Sequence, residues 1–279
     1  MKRILIPTDF SQNARHAIDF ALKLFDDESC ELTLLHTFGA DGMKSPQTLV
    51  WQVGDAEVEK ASKDSEIELK TLRQDLIASN KNHHHQFKTV SKYNYLSDEI
   101  ESQLKSGNYD LVVMGTKGSS GSREVWVGSN TVHVLDQVGG VPMLIIPEHS
   151  EIKYPGEIAL AVTYKEKVPV GHMELLNKIA VQCNSDISLL HVTDGDELTE
   201  KQQSIKEEIL DAIKYVKIAV YTLADEDDDA EEAIQKFVKD TGVDMIALVN
   251  RQHSFFEKML QKSTLKGLSY HSKVPLLVL

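Results

Sequence analysis

At 279 residues the chain has room for two domains or one large one, and 30 basic against 43 acidic residues leave a formal charge of −13. That balance argues against a general nucleic-acid binder, in which Lys and Arg gather in excess on one face. With 41 % hydrophobic and 26 % charged residues, two cysteines and no apolar run near the ~20 residues of a membrane helix, the chain reads as a cytoplasmic globular protein, not a membrane-spanning, disordered or disulfide-stapled one.

In chain order, Arg3–Pro7 reads as a strand whose apolar stretch ends at Pro7, too short for an export signal. Ser11 is a plausible N-cap for a helix carrying Ala14, Ala17, Ile18, Ala21 and Leu22 at 3–4 residue spacing. Glu31–Thr37 predicts a second strand, and a long charged helix runs from Glu57 to Ser79 with Ile67, Leu69, Leu72 and Leu76 on one stripe. A strand over Gln86–Lys92, a helix over Leu96–Leu104, a strand over Leu111–Gly115, a helix over Asn130–Gln137 and a strand over Met143–Pro147 follow. Runs of Ile, Leu and Val this continuous belong to parallel sheets covered on both faces. Alternating βα units therefore predict a doubly wound α/β fold with a five-stranded, mainly parallel sheet.

The pattern then repeats. Leu32-Thr33-Leu34-Leu35-His36 returns as Ile187-Ser188-Leu189-Leu190-His191, and Tyr109-Asp110-Leu111-Val112-Val113-Met114 as Val243-Asp244-Met245-Ile246-Ala247-Leu248. Val141-Pro142-Met143-Leu144-Ile145-Ile146 returns as Val274-Pro275-Leu276-Leu277-Val278-Leu279. A period of about 140 residues means two tandem copies of one domain rather than a solenoid. The expected division is residues 1–147 and 148–279, with the seam in the polar stretch Pro147–Pro155.

In such a fold the ligand crevice lies at the carboxyl ends of the strands, where strand order reverses. That singles out the loops after the first and fourth strands. The fourth strand enters Gly115-Thr116-Lys117-Gly118, then nine residues, then Gly128-Ser129-Asn130-Thr131. Glycines admit close backbone approach, and a helix opening on Gly-Ser presents N–H donors and hydroxyls to an anion. Lys117 and Arg123 add positive charge, and Asp9 across the crevice is a hydrogen-bond acceptor for a ribose hydroxyl or an adenine amine.

This spacing is neither the dinucleotide G-x-G-x-x-G nor the Walker pattern. It resembles the universal stress protein family, whose ATP-binding members carry G-x2-G-x9-G-[ST], matched here by Gly115, Gly118, Gly128 and Ser129. Supporting matches are Ile4-Leu5-Ile6-Pro7-Thr8-Asp9-Phe10-Ser11, Leu34-Leu35-His36 and Val141-Pro142. The resemblance covers the first half fully and the second more weakly. It implies a tandem, Rossmann-like fold of the adenine nucleotide alpha hydrolase type. It also implies Pro7, Thr8, Asp9 and Thr37 around adenine and ribose, with Met114, Gly115, Lys117, Gly118, Gly128, Ser129, Asn130 and Thr131 holding ribose and phosphates. The implied ligand is ATP, with AMP or ADP as alternatives and Mg²⁺ accompanying the nucleotide. The implied role is a stress-response regulator working through an unidentified protein partner. A slow Mg²⁺-dependent ATPase, with Glu124 orienting water, and a nucleotide-independent scaffold are the competing readings. No nucleophile–base–orienter set is visible. By resemblance, the fifth strands of the two halves would pair as an internal pseudo-dimer, and a homodimer of chains is compatible with that.

Aligned on the shared sequence, the second half sets Val249 opposite Gly115, Gln252 opposite Gly118, Lys262 opposite Gly128 and Tyr164 opposite Asp9. The expectation is one nucleotide per chain, bound by the first half. Other features carry blander readings. His83-His84-His85 falls short of the ligands zinc requires and reads as a solvated loop. His36 and His191 read as strand-end histidines satisfied by backbone, and Cys30 and Cys183 as buried thiols. The run Asp225–Asp229 reads as an acidic helix start, and Trp51 and Trp126 as closures over the site or partner contacts.

Overall fold

The computed structural model describes residues 1–38, 55–116, 128–193, 195, 197–224, 230–249 and 273–279. The chain divides into two compact units, Met1–Glu148 and His149–Leu279. The first contains β1 (Lys2–Pro7), α1 (Gln12–Leu24), β2 (Cys30–Phe38), α2 (Asp55–Ser79), β3 (Gln86–Tyr93), α3 (Leu96–Ser106), β4 (Leu111–Gly115), α4 (Ser129–Gln137) and β5 (Met143–Ile146). The second contains β6 (Glu157–Val162), α5 (Val170–Cys183), β7 (Asp186–Thr193), α6 (Glu200–Ala212), β8 (Ile218–Ala224), α7 (Ala230–Thr241), β9 (Met245–Val249) and β10 (Leu276–Val278).

Within the first unit the strands run in the order β3-β2-β1-β4-β5, and within the second β8-β7-β6-β9-β10. Their paired strands are parallel. Continuous apolar runs follow from that burial: Ile4, Leu5, Ile6, Leu111, Val112 and Val113 are fully buried, as are Ile158, Ala159 and Leu160. Ser11 caps α1 as expected, its hydroxyl accepting from the Ala14 N–H at 3.2 Å, an arrangement that stabilises a helix by about 1 kcal/mol. The inner face of α1 is Ala17, Ile18, Ala21 and Leu24, each no more than 1 % exposed. Burying Ile18 and Leu24 contributes roughly 1.5–3 kcal/mol apiece.

The stripe on α2 differs from the expected one. Leu69 and Leu76 are buried, but Ile67 is 62 % exposed, and Ser65 takes the inner position one turn before Leu69. A helix repeats every 3.6 residues, so Ser65, Leu69, Leu72 and Leu76 share a face that Ile67 cannot join. No helix among the described residues is long and apolar enough to cross a membrane.

Candidate functional site

In the first unit β1 lies between β2 and β4, so the chain leaves β1 in one direction across the sheet and returns to build β4 and β5 in the other. The registers Ile4 with Leu111 and Leu5 with Val112 carry the carboxyl ends of β1 and β4 side by side, which brings Pro7, Thr8 and Asp9 level with Met114, Gly115 and Thr116. Thr37 is next to last in β2, one strand further along the sheet, opposite Lys92 of β3. The structure thus brings Pro7, Thr8, Asp9, Met114 and Gly115 together at the point where strand order reverses.

After β1 the turn is fixed locally. The Thr8 hydroxyl accepts from the Phe10 N–H at 3.1 Å, and the Asp9 carboxylate accepts from the Ser11 N–H at 3.1 Å. Phe10 sits at φ 63°, a left-handed conformation uncommon for an aromatic residue. Its ring lies 4.6 Å from that of His36. His36 has a side-chain partner that its position on the strand did not suggest. Its Nδ1 meets the Ser65 hydroxyl at 2.8 Å, and Ser65 meets Ser91 at 2.6 Å, so a polar chain crosses from β2 to α2 to β3. Sequence spacing gave no signal for this chain, because its three members lie on three separate elements.

On the other side, Gly115 has a packing requirement of its own. A Cβ there would lie 2.8 Å from the Asn13 side-chain carbon and 3.1 Å from the Asn13 carbonyl oxygen. Asn13, 5 % exposed, donates to the Ile146 carbonyl at 3.4 Å and ties α1 to β5 across the end of β4. Asn13 is the residue that the sequence reading missed. A polar residue in the second position of an apolar helix face was the available clue.

The neck of the following loop is closed by the Gly128 N–H donating to the Thr116 carbonyl at 2.7 Å. Gly128 is the N-cap of α4 and offers no side-chain capping bond. By contrast, α6 carries a reciprocal capping box between Thr199 and Gln202. Ser129 and Asn130 are exposed at the first turn of α4. Thr131 is 3 % exposed and its hydroxyl is turned inward, 3.1 Å from the Gly115 carbonyl oxygen and 3.4 Å from that of Thr116. That hydroxyl joins α4 to β4. Lys117, Gly118, Arg123, Glu124 and Trp126 lie outside the described residues, as does Trp51. A cavity of about 470 Å³ lined by Arg3, Thr33, Arg73 and Lys88 lies elsewhere, in the amino-terminal half of the sheet.

The corresponding strand ends in the second unit align one residue differently from the sequence expectation. Ile4 pairs with Leu32 and Leu111, and Ile158 pairs with their counterparts Ile187 and Met245. Ile158 therefore matches Ile4, Thr163 matches Asp9, and Tyr164 matches Phe10. Three details agree. Tyr164 sits at φ 56°, its ring lies 4.7 Å from His191, and the Thr163 hydroxyl accepts from the Lys165 N–H as Asp9 does from Ser11. The two threonines, Thr8 and Thr163, suggested the other alignment, but sheet pairing overrides it. The aspartate is still absent, and Val249 still stands where Gly115 does.

The histidines and cysteines divide. His191 does meet backbone, its Nδ1 lying 3.1 Å from the Val162 carbonyl. His85 is not solvated: it is 8 % exposed, with Nε2 3.0 Å from the Phe25 carbonyl and Nδ1 3.2 Å from the Asn80 amide. Burial pushes its pKa below the usual histidine value, against the opposing pull of Phe25 and Asp26. Among the described residues no group of three or more His, Cys, Asp or Glu side chains is placed to hold a metal. Neither cysteine is in a disulfide. Cys30 is buried, whereas Cys183 at the end of α5 is half-buried rather than enclosed.

The universal stress protein family model matches residues 1–147 and 174–279, most of the chain. The chain belongs to the universal stress protein family. Among curated relatives, this universal stress protein is 25 % identical over 154 residues to universal stress protein MJ0577 of Methanocaldococcus jannaschii, covering 52 % of this chain and 94 % of that one. A universal stress protein from Archaeoglobus fulgidus matches its structure with a TM-score of 0.67 at 18 % identity, covering 99 % of this chain and 95 % of that one. A putative universal stress protein from Pseudomonas aeruginosa gives a TM-score of 0.56 at 11 % identity, covering 100 % and 93 %. At these identities the structural matches establish the fold: two tandem Rossmann-like α/β units.

Proposed function

We propose that the first unit of this universal stress protein binds one adenine nucleotide, ATP in the first instance, and that its occupancy regulates a protein partner. The observation that carries the reading is the start of α4. Gly128 caps it without a side-chain bond, Ser129 and Asn130 are exposed, and the carboxyl ends of β1 and β4 lie beside it. Such a helix start, with its N–H groups and dipole, suits a phosphate. The glycine-and-serine spacing from Gly115 to Ser129 that resembles ATP-binding members of the family supports the same ligand, and Asp9 supplies an acceptor for ribose or adenine. In this reading Lys117 and Gly118 complete the phosphate side, and Mg²⁺ enters with the nucleotide. The second unit, with Val249 and Thr163 at the matching positions, binds none.

Two measurements test the proposal. Mass spectrometry of ligand released from freshly purified protein is expected to find adenine nucleotide near one per chain. Titration calorimetry with ATP, ADP and AMP is expected to give a stoichiometry of one, and Asp9→Ala to weaken binding by about tenfold or more, near 1.4 kcal/mol. Thr163→Ala is expected to leave binding unchanged. A protein that retains no adenine nucleotide and shows no heat with any of the three would overturn the reading.

A further inference from the structure

The cavity of about 470 Å³ in the first unit gathers basic side chains away from the strand ends described above. Its volume is that of a small-molecule site, roughly 300–1,000 Å³. Paired residues of parallel strands share a face, as do residues two apart on one strand. The registers Arg3 with Glu31 and Thr33 with Lys88 therefore set these four side chains on one face of β1, β2 and β3. Glu31, 5 % exposed, holds two cations side by side. One of its oxygens takes Arg3 Nε at 3.1 Å and the other takes Lys88 Nζ at 2.7 Å. The Arg3 guanidinium also lies over the Tyr109 ring, 5.2 Å from its centroid. Arg73 reaches in from α2 and donates through Nε to the Phe87 carbonyl at 2.8 Å, with no carboxylate partner among the described residues. Three cations thus share one carboxylate. Thr33, which also lines the cavity, is 2 % exposed, and its hydroxyl has no hydrogen-bond partner among the described residues.

The second unit builds the same strands without this set. By register, Glu157 matches Arg3, Asp186 matches Glu31, Ser188 matches Thr33 and Ala219 matches Lys88. The cations are gone, and the Ser188 hydroxyl is satisfied by Glu157 at 2.6 Å. The fold therefore does not require three cations at this place, nor a buried hydroxyl left unbonded, which costs stability. We propose that the cavity of the first unit binds a small organic anion, a carboxylate or phosphate monoester with an apolar body. Its charged group sits among Arg73, Arg3 and Lys88, since arginine forks match carboxylate and phosphate oxygens alike. Its body lies against Val90 and the Tyr109 ring, which complete that side of the lining. A ligand oxygen also gives the Thr33 hydroxyl the acceptor it lacks. Arg3 stands near the start of β1 and Asp9 beyond its end, so this site and the nucleotide site are separate and can be filled together.

Heteronuclear NMR titration of the full chain with benzoate, phenyl phosphate and inorganic phosphate tests the proposal. At least one of the two organic anions is expected to shift the Thr33, Lys88 and Thr89 amides saturably, with a Kd on the order of 1 mM or tighter, the scale for about ten heavy atoms. The tighter of the two identifies the headgroup, and inorganic phosphate is expected to bind at least about fivefold more weakly, having no apolar body. The double variant Arg73→Gln, Lys88→Gln is expected to weaken binding by about tenfold or more. Thr33→Val, which replaces an unbonded hydroxyl by a methyl and keeps the fold, is expected to weaken it about threefold. Circular dichroism identifies any variant that has lost its fold. Absence of saturable shifts at Thr33 and Lys88, shifts confined to residues 128–131, or a folded double variant that binds as the wild type does would overturn the proposal. Inorganic phosphate binding as tightly as both organic anions would overturn the ligand class.

Discussion

At residue 115 and at its counterpart 249, the same strand of the same fold ends in glycine and in valine. In the first unit Asn13 packs against the bare backbone of Gly115, and the loop that leaves from there returns at Gly128. In the second, Val249 ends β9 beside Val162, and Thr163 stands where Asp9 does. Strand order, parallel pairing, the histidine at the end of the second strand and the left-handed aromatic residue after the first all survive between the units. The shared core maintains the fold, while the strand-end residues and what packs against them differ between the units.

Substitutions at paired positions test that division. The largest effect is expected at Gly115→Val, whose side chain would overlap Asn13 and cost about 3 kcal/mol, read by urea denaturation. The reciprocal Val249→Gly is expected to cost only about 1 kcal/mol, the loss typical of glycine in a strand. Equal losses would show that the two ends are packed alike.

Next comes Asp244, which serves the second unit as Asp110 serves the first. The Asp110 carboxylate accepts from the Arg3 N–H at 2.7 Å, and Asp244 from the Gly156 and Glu157 N–H groups at 2.8 and 3.2 Å. Burial works to raise the Asp244 pKa, but the Lys153 ammonium at 2.9 Å and the two N–H donors outweigh it and hold it below the usual aspartate value. Asp244→Ala should cost about 2 kcal/mol, the scale of charged hydrogen bonds. Because the folded value is the lower one, this contribution is fully present above the unfolded value near 4 and is lost as pH falls through the folded value. An acid titration of stability in which Asp244→Ala follows the wild type below pH ~4 without converging on it would contradict this.

Thr33 and Ser188 occupy matching places and should respond with opposite sign. Both are 2 % exposed, but the Thr33 hydroxyl has no hydrogen-bond partner among the described residues, whereas Ser188 donates to Glu157 at 2.6 Å. Thr33→Val is expected to raise stability by about 1 kcal/mol, and Ser188→Ala to lower it by a similar amount. Thermal melts of the two variants moving in the same direction would break the contrast. The smallest effect concerns the thiols. Burial, aided by Glu28, raises Cys30 to about 11, while Cys183 is half-buried. At about pH 8 an aromatic disulfide reagent should label Cys183 at least tenfold faster than Cys30.

The sequence exposed most of the fold, since β1 and β4 announce themselves as unbroken apolar runs and α1 by its cap and spacing. It also located the loops after β1 and β4. What it could not supply was register across strands. Thr163 was displaced by one position because Thr8 and Thr163 look alike in one dimension, and only pairing with β7 and β9 separates them. Nor could spacing reveal that Thr131 turns inward to Gly115, or that Ser65 and Ser91 meet His36, since those contacts join residues far apart in the chain.

The bond between the Gly128 N–H and the Thr116 carbonyl has a consequence for how this protein can diversify. With both ends of residues 117–127 anchored, the segment between them is a closed loop in the polymer sense. Doubling the length of such a loop costs only about 0.6 kcal/mol in closure entropy. Insertions and deletions there would be thermodynamically cheap so long as Thr116 and Gly128 remain joined. Length could then drift between those two residues while the paired strands stay under stringent selection.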